Sequence, residues 1–206
     1  AMLKLLEVAT SLGQTISKEL LMSLRPAAQA RGSSEAGVHY DLASALIKSI
    51  RGSDPDAAVY YLARLIEGGE PPEFIARRLV ILASEDVGNA NPQALTLATS
   101  AMGAVKQIGY PEARIILSQA VIYLCASPKS NTAYNAINAA QQAVRNGVIL
   151  EIPETIRQNN KNYLYPHDFG GWVDQRYLSK PLKFVEFKNS GYEAKMGEWI
   201  DKVWKK

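Results

Sequence analysis

The stretch from Gly68 to Asn91, GGEPPEFIARRLVILASEDVGNAN, constrains this chain more than any other. Gly68 and Gly69 end whatever precedes it. Pro71 and Pro72 fit only before or within the first turn of a helix, where a missing N–H leaves no bond unmade. Glu70 and Glu73 then lie at the positive end of the helix dipole. Ile75, Leu79, Leu82 and Val87, with Ala76, Val80 and Ala83 beside them, recur at three- and four-residue steps and give a wide apolar face. Gly88 closes the helix and Asn91-Pro92 opens the next. A helix this apolar has to be packed on more than one side, so it is expected in the middle of a helical stack.

The neighbouring segments carry the same punctuation, a small polar residue or proline at the start and glycine or proline at the end. Asp41 is read as the cap of a helix with Leu42, Leu46, Ser49 and Ile50 on one side, ending at Gly52. Ser53-Asp54-Pro55 starts a second, with Val59, Leu62 and Ile66 inward. Asn91-Pro92 starts a helix with Leu95, Ala98, Met102, Val105 and Ile108, ended by Gly109. Tyr110-Pro111-Glu112 starts another, with Ile116, Ala120, Val121 and Leu124, ended by Ser127-Pro128. Ser130 or Asn131 caps a further helix with Ala133, Ile137, Ala140 and Val144, which stops at Gly147. Each cap contributes about 1 kcal/mol, a sizeable share of a net stability of about 5–15 kcal/mol. No self-similarity at a fixed period marks a solenoid, so residues 39–147 are predicted to form a compact, orthogonally packed, mainly α domain. Alanines such as Ala98, Ala101, Ala104, Ala139, Ala140 and Ala143 permit close helix approach.

Residues 1–26 predict two short helices, and residues 27–38, small and polar, read as a linker. Residues 148–206 differ in kind. Tyr163 to Phe169 is aromatic and proline-bearing and is followed by Gly170-Gly171-Trp172. Lys183-Phe184-Val185-Glu186-Phe187-Lys188 alternates charged and apolar residues, the period of a strand, and Tyr192, Met196, Trp199, Ile200 and Val203 predict one face of a last helix. This region is expected to be an arm whose large side chains need a surface, supplied by this subunit or by a neighbour. Tyr165, His167 and Asp168 are placed as a hydrogen-bonded anchor of that arm.

Hydrophobic residues are 47% and charged residues 21%, the balance of a globular chain, and the net charge is only +3. Residues 1–150 hold 13 Lys and Arg against 12 Asp and Glu, and residues 151–206 hold 10 against 8, so neither part is basic enough to make nucleic-acid binding the default. The remaining candidates for phosphate contact are two cation pairs, Lys48 with Arg51 and Arg77 with Arg78. Cys125, the single cysteine, lies in the apolar run AVIYLCA and is expected in the core. There is no G-x-x-x-x-G-K-[ST] loop, and adjacent Glu85 and Asp86 point about 100° apart on a helix, so they are read as a salt-bridged or solvated helix end. His39 and His167 alone make no zinc site. Neither cofactor nor metal is therefore expected in this chain. No run reaches the roughly 18 apolar residues of a membrane span, so the expected compartment is the cytoplasm.

The motifs HYDLASALIKSIRGSDPDAAVYYLARLIEGGE, EPPEFIARRLVILASEDVGNANPQAL, AVIYLCASPKSNTAYNAINAA and YPHD, in this order, resemble the C-terminal region of the RarA/MgsA family of AAA+ ATPases, whose eukaryotic relative is the Werner-helicase-interacting protein. The resemblance covers roughly Leu3 to Lys206. It implies a helical oligomerisation collar like that of clamp loaders, preceded by the end of a AAA+ lid in residues 1–26. It further implies a homotetramer, nucleoid-associated and working on forked or single-stranded DNA, with single-strand-binding protein as a possible partner. ATP and Mg²⁺ would belong to an N-terminal AAA+ module, and this chain would be non-catalytic. Tyr60, Tyr61, Tyr123, Tyr134 and Trp172 are the candidate interface residues. Members of the family carry a longer segment after the IPETIR-like run; here Arg157 passes through only Gln158 to Asn162, so either the loop is shorter or residues are absent from the sequence at that point. Two other readings stay open: an autonomous DNA-binding helical domain using Lys48, Arg51, Arg77 and Arg78, and an enzyme built around His167.

Overall fold

A computed structural model describes residues 35–204. The helices expected in residues 1–26 and most of the segment read as linker lie outside the described residues. Among the described residues there are seven α-helices: α1 Glu35–Arg51, α2 Pro55–Glu67, α3 Pro72–Leu82, α4 Gln93–Ile108, α5 Ala113–Ala126, α6 Thr132–Arg145 and α7 Gly191–Trp204. The mainly α class is as the punctuation predicts.

Local signals place most of the boundaries. Asp54 caps α2 in extended conformation, its Oδ1 accepting the Ala57 amide at 2.9 Å, with Pro55 at the first helical position. α1 differs: it begins at Glu35, so Asp41 lies inside the helix instead of capping it. α3 also differs, because after Leu82 it widens into one π turn, Ala83–Val87, then a 3-10 turn, Gly88–Ala90. Asp86 is buried in that turn, so of the salt-bridged and solvated states expected of it the solvated one does not hold, and its carbonyl accepts the Ser130 amide at 2.8 Å. Gly88 has φ +52, and a Cβ there would lie 2.6 Å from the Ser130 carbonyl oxygen, so the turn requires glycine.

The chain forms two compact units. The first holds the described residues up to Leu79 together with Thr99–Ala126. In it α1 packs on α2, and α5 packs against both. Leu46, Ile50, Leu62, Leu65, Leu117 and Leu124 are among its largest buried side chains. Cys125 is buried there as expected, its thiol facing the Asp54 carbonyl at 3.8 Å. The inward face of α2 is Ala58, Leu62 and Leu65, so Val59 and Ile66, expected inside, are turned toward the side. On α4 the buried line is the small-residue series Ala94, Ala98, Ala101 and Val105, while Leu95 and Ile108 are exposed.

The second unit comprises Val80–Ala98 and the chain from Ser127 on. Here α6 packs on the π and 3-10 turns and α7 packs on the 3-10 turn. Two expectations fail in this unit. α6 leaves Ile137 and Val144 more than half exposed, so that apolar stripe is not core. Lys183–Lys188 has no regular secondary structure, and no strand occurs among the described residues. The alternation predicts burial every second residue; the half-buried positions are Phe184 and Phe187, three apart. Its backbone groups bond to side chains instead of a neighbouring strand: the Glu186 carbonyl accepts the Thr132 hydroxyl at 3.1 Å and the Lys188 amide donates to Glu193 Oε1 at 2.8 Å.

Candidate functional site

In the first unit, α2 and α5 enclose an open apolar groove of about 890 Å³. Val59, Ala63 and Ile66 line it from α2, and Ile115, Ile122 and Tyr123 from α5, with Glu67 and Arg114 at its edge. The cause lies in α5, ARIILSQAVIYLCA, which is apolar nearly all round. One side supplies Leu117, Val121 and Leu124 to the core, while Ile115 (57% exposed) and Ile122 (49%) on the other side meet solvent. A helix with two apolar sides needs two neighbours, and such contiguous exposed apolar surface marks an interaction site. The second unit has a counterpart on α6, where Tyr134, Ile137 and Val144 are exposed.

The candidate interface residues fall into three places. Tyr123 lines the groove. Tyr60, exposed, and Tyr61, half-buried, stand edge to face on α2 with centroids 5.4 Å apart. In the second unit Tyr134 belongs to the α6 face, and half-buried Trp172 packs edge-on against Trp204 at 6.0 Å. Lys48 and Arg51 sit in the last turn of α1 and Arg77 and Arg78 on α3, all four exposed. The structure puts Tyr165 and His167 side by side, centroids 5.0 Å apart, at a four-residue 3-10 turn. Asp168 joins them through its amide, which donates to the Tyr165 carbonyl at 3.0 Å. All three are exposed.

Glu193 makes further contacts in this region. Glu193, in the first turn of α7, is fully buried. Burial pushes its carboxyl up, but the Ser130 and Thr132 hydroxyls, the Lys188 amide and the Lys188 charge outweigh that and hold its pKa below the ordinary carboxylate value. Around it, the Ser190 hydroxyl donates to the Lys129 carbonyl at 3.0 Å and the Lys188 ammonium to Asn131 Oδ1. The signal for Glu193 in the sequence is Ser190-Gly191-Tyr192-Glu193, which has the S-x-x-E spacing of a capping box. His39 has a structural role and no metal partner among the described residues. Its Nδ1 pairs with the Glu70 carboxylate and its ring lies 4.8 Å from that of Phe74, joining the start of α1 to the start of α3. The Tyr110 hydroxyl donates to the Glu70 carbonyl at 3.1 Å. Burial, then the charges of Glu70 and Glu73, raise the Tyr110 pKa.

Among the described residues no group of three His, Cys, Asp or Glu side chains could hold a metal ion, and no helix is long and apolar enough to cross a membrane.

Residues 52–204 match the family model described as the MgsA AAA+ ATPase C terminal. The chain is 47% identical to an uncharacterized protein of Thermotoga maritima, over 81% of this chain and 29% of that protein. It is 43% identical to the replication-associated recombination protein A of Bacillus subtilis, over 84% of this chain and 44% of that protein. It is 35% identical to the ATPase WRNIP1 of Dictyostelium discoideum, over 72% and 19% respectively. The chain thus spans less than half the length of these relatives.

Proposed function

The chain belongs to the MgsA AAA+ ATPase C-terminal family, and on that premise we propose that it is the self-association region of a replication-associated recombination ATPase, itself non-catalytic. The observation that supports this best is the open groove between α2 and α5, whose isoleucines face solvent on a helix already packed on its opposite side. The exposed α6 face provides a second, different apolar surface. Two unlike surfaces on one subunit are what a ring needs, since head-to-tail contacts that close generate cyclic assemblies. In this reading four copies assemble, and the assembly acts in replication-associated recombination on forked or single-stranded DNA, with single-strand-binding protein as a partner.

The residues of this chain do not fit ATP and Mg²⁺: the sequence has no phosphate-cradling glycine loop, and Asp86 is buried in the π turn with its carbonyl bonded to Ser130. Nucleotide chemistry would belong to a AAA+ module, and this chain would act on it by spacing neighbouring subunits, because a trans arginine helps only when the neighbour is correctly placed.

Light scattering coupled to size exclusion, run on this chain from 1 to about 50 μM, tests the reading at concentrations that bracket ordinary micromolar association. The expected mass is that of a tetramer. A mass equal to one chain at every concentration overturns the proposal.

A further inference from the structure

We propose that the arm carries a binding site for single-stranded nucleic acid, formed by Tyr163, Tyr165 and Tyr177 with Lys161, Arg176 and Lys180. This site is separate from Lys48, Arg51, Arg77 and Arg78, and it does not depend on self-association.

Residues 157–183 contain five Lys and Arg against Asp168 and Asp174, a net +3 that equals the formal charge of the whole chain. Charge balance over long halves of the sequence hides this concentration. The same segment leaves its tyrosines uncovered: Tyr163 is 41% exposed, Tyr165 52% and Tyr177 45%. Lys161, Arg176 and Lys180 are exposed too.

The structure brings the two halves of the segment together through Gln175. Its side-chain oxygen accepts the Leu164 amide at 3.3 Å, and its nitrogen donates to the Leu164 carbonyl at 2.8 Å. The same nitrogen donates to the Tyr177 hydroxyl at 2.9 Å. Leu164 lies between Tyr163 and Tyr165, so one amide sets both tyrosines against the stretch that bears Arg176 and Tyr177. Each cation is within three residues of one of these rings, a reach of at most about 11 Å along the chain.

Solvent-facing rings with cations close to them along the chain are the components of a base-stacking platform: rings take up bases without regard to sequence and cations neutralise the backbone. A duplex buries the faces of its bases in its own stack, so it cannot use the rings. A protein surface would gain little from three clustered cations, because charged residues are depleted where protein interfaces are buried.

The experiment is fluorescence anisotropy of labelled dT15 and rU15, and of a 15-base-pair duplex, titrated with the 206-residue chain at 50 and 200 mM salt. Three phosphate contacts give a slope near −2 against log salt, so single-strand affinity should fall about 20-fold over that range. Tyr165→Ala with Tyr177→Ala should weaken binding about tenfold or more. Lys161→Ala, Arg176→Ala and Lys180→Ala together should flatten the salt dependence, and these surface changes leave every hydrogen bond of Gln175 in place. Replacing Lys48, Arg51, Arg77 and Arg78 by alanine should change single-strand affinity less than twofold. Equal binding of duplex and single strand, no binding at 50 mM salt, or unchanged affinity in both arm variants overturns the proposal. So does a change of oligomeric mass in the arm variants with unchanged oligonucleotide affinity, which would assign these rings to a protein interface.

Discussion

Removing the buried carboxylate of Glu193 is expected to loosen the arm more than removing any of its aromatic rings. Glu193 is fully buried and accepts the Lys188 amide at 2.8 Å, so Glu193→Ala loses a charge-assisted hydrogen bond of about 1.5–3 kcal/mol and leaves a part-buried N–H without that acceptor. The carboxylate also sits in the first turn of α7, where the helix dipole favours a negative charge by about 0.3–1 kcal/mol. Together the expected loss is about 2–4 kcal/mol. Glu193→Gln keeps the acceptor and the shape but not the charge, and should lose about 1 kcal/mol at pH 7. The pH dependence follows from the lowered pKa. A carboxylate whose folded pKa lies below its ordinary 4.5 stabilises the fold fully above that value and loses its contribution as pH falls through the folded pKa. The stability gap between the natural chain and Glu193→Gln should therefore be constant from pH 8 to about pH 6 and close only as pH falls below 4.5 through the folded pKa. Urea unfolding followed by circular dichroism at each pH measures this directly. A gap that persists unchanged in acid, or a Gln variant at least as stable as the natural chain at pH 7, would refute the assignment of Glu193 as an ionised anchor.

Three further outcomes are expected. Gly191→Ala should destabilise by about 2 kcal/mol or more, because Gly191 has φ +54 and a Cβ would collide with the Ala90 carbonyl oxygen, whereas Gly69→Ala, at φ +87 but with open space around it, should lose only about 1 kcal/mol in the same urea titration. Asp54→Ala should lose about 1 kcal/mol with Asp54→Asn nearly neutral, since the Ala57 amide then loses or keeps its acceptor. Tyr110→Phe should lose about 0.5–1 kcal/mol near neutral pH, and because the folded pKa of Tyr110 is raised, its contribution should hold below pH 10 and disappear as pH rises through the folded value.

The sequence told the helices well and their faces less well. Proline, asparagine and glycine fix where a helix starts and stops by local sterics, which is why α2 to α6 lie close to where their punctuation places them. Which side of an apolar helix is core depends on the partner helix, and periodicity alone misjudged α2, α4 and α6. Val59 and Ile66 line a groove instead of the core, and Ile137 and Val144 face outward. The alternation in Lys183–Lys188 was real, but a strand needs a neighbouring strand, and here side chains of α6 and α7 occupy its backbone groups. Glu193 was legible in the S-x-x-E spacing of Ser190 to Glu193. The Gln175 clamp was not legible, because nothing in the local pattern says that Leu164 and Gln175, eleven residues apart, would meet.

If copies of this chain meet at the groove between α2 and α5, as proposed, a charge placed in the groove breaks the assembly. The most direct measurement is sedimentation velocity of Ile122→Asp beside the natural chain at the same concentration. Ile122 is 49% exposed, so the aspartate can be solvated in a single subunit and the helical circular dichroism should be unchanged. In an occupied groove the same carboxylate would be buried without a partner, at several kcal/mol per contact. The natural chain should sediment as a multimer and Ile122→Asp at lower mass. A multimer of undiminished mass in Ile122→Asp would contradict it.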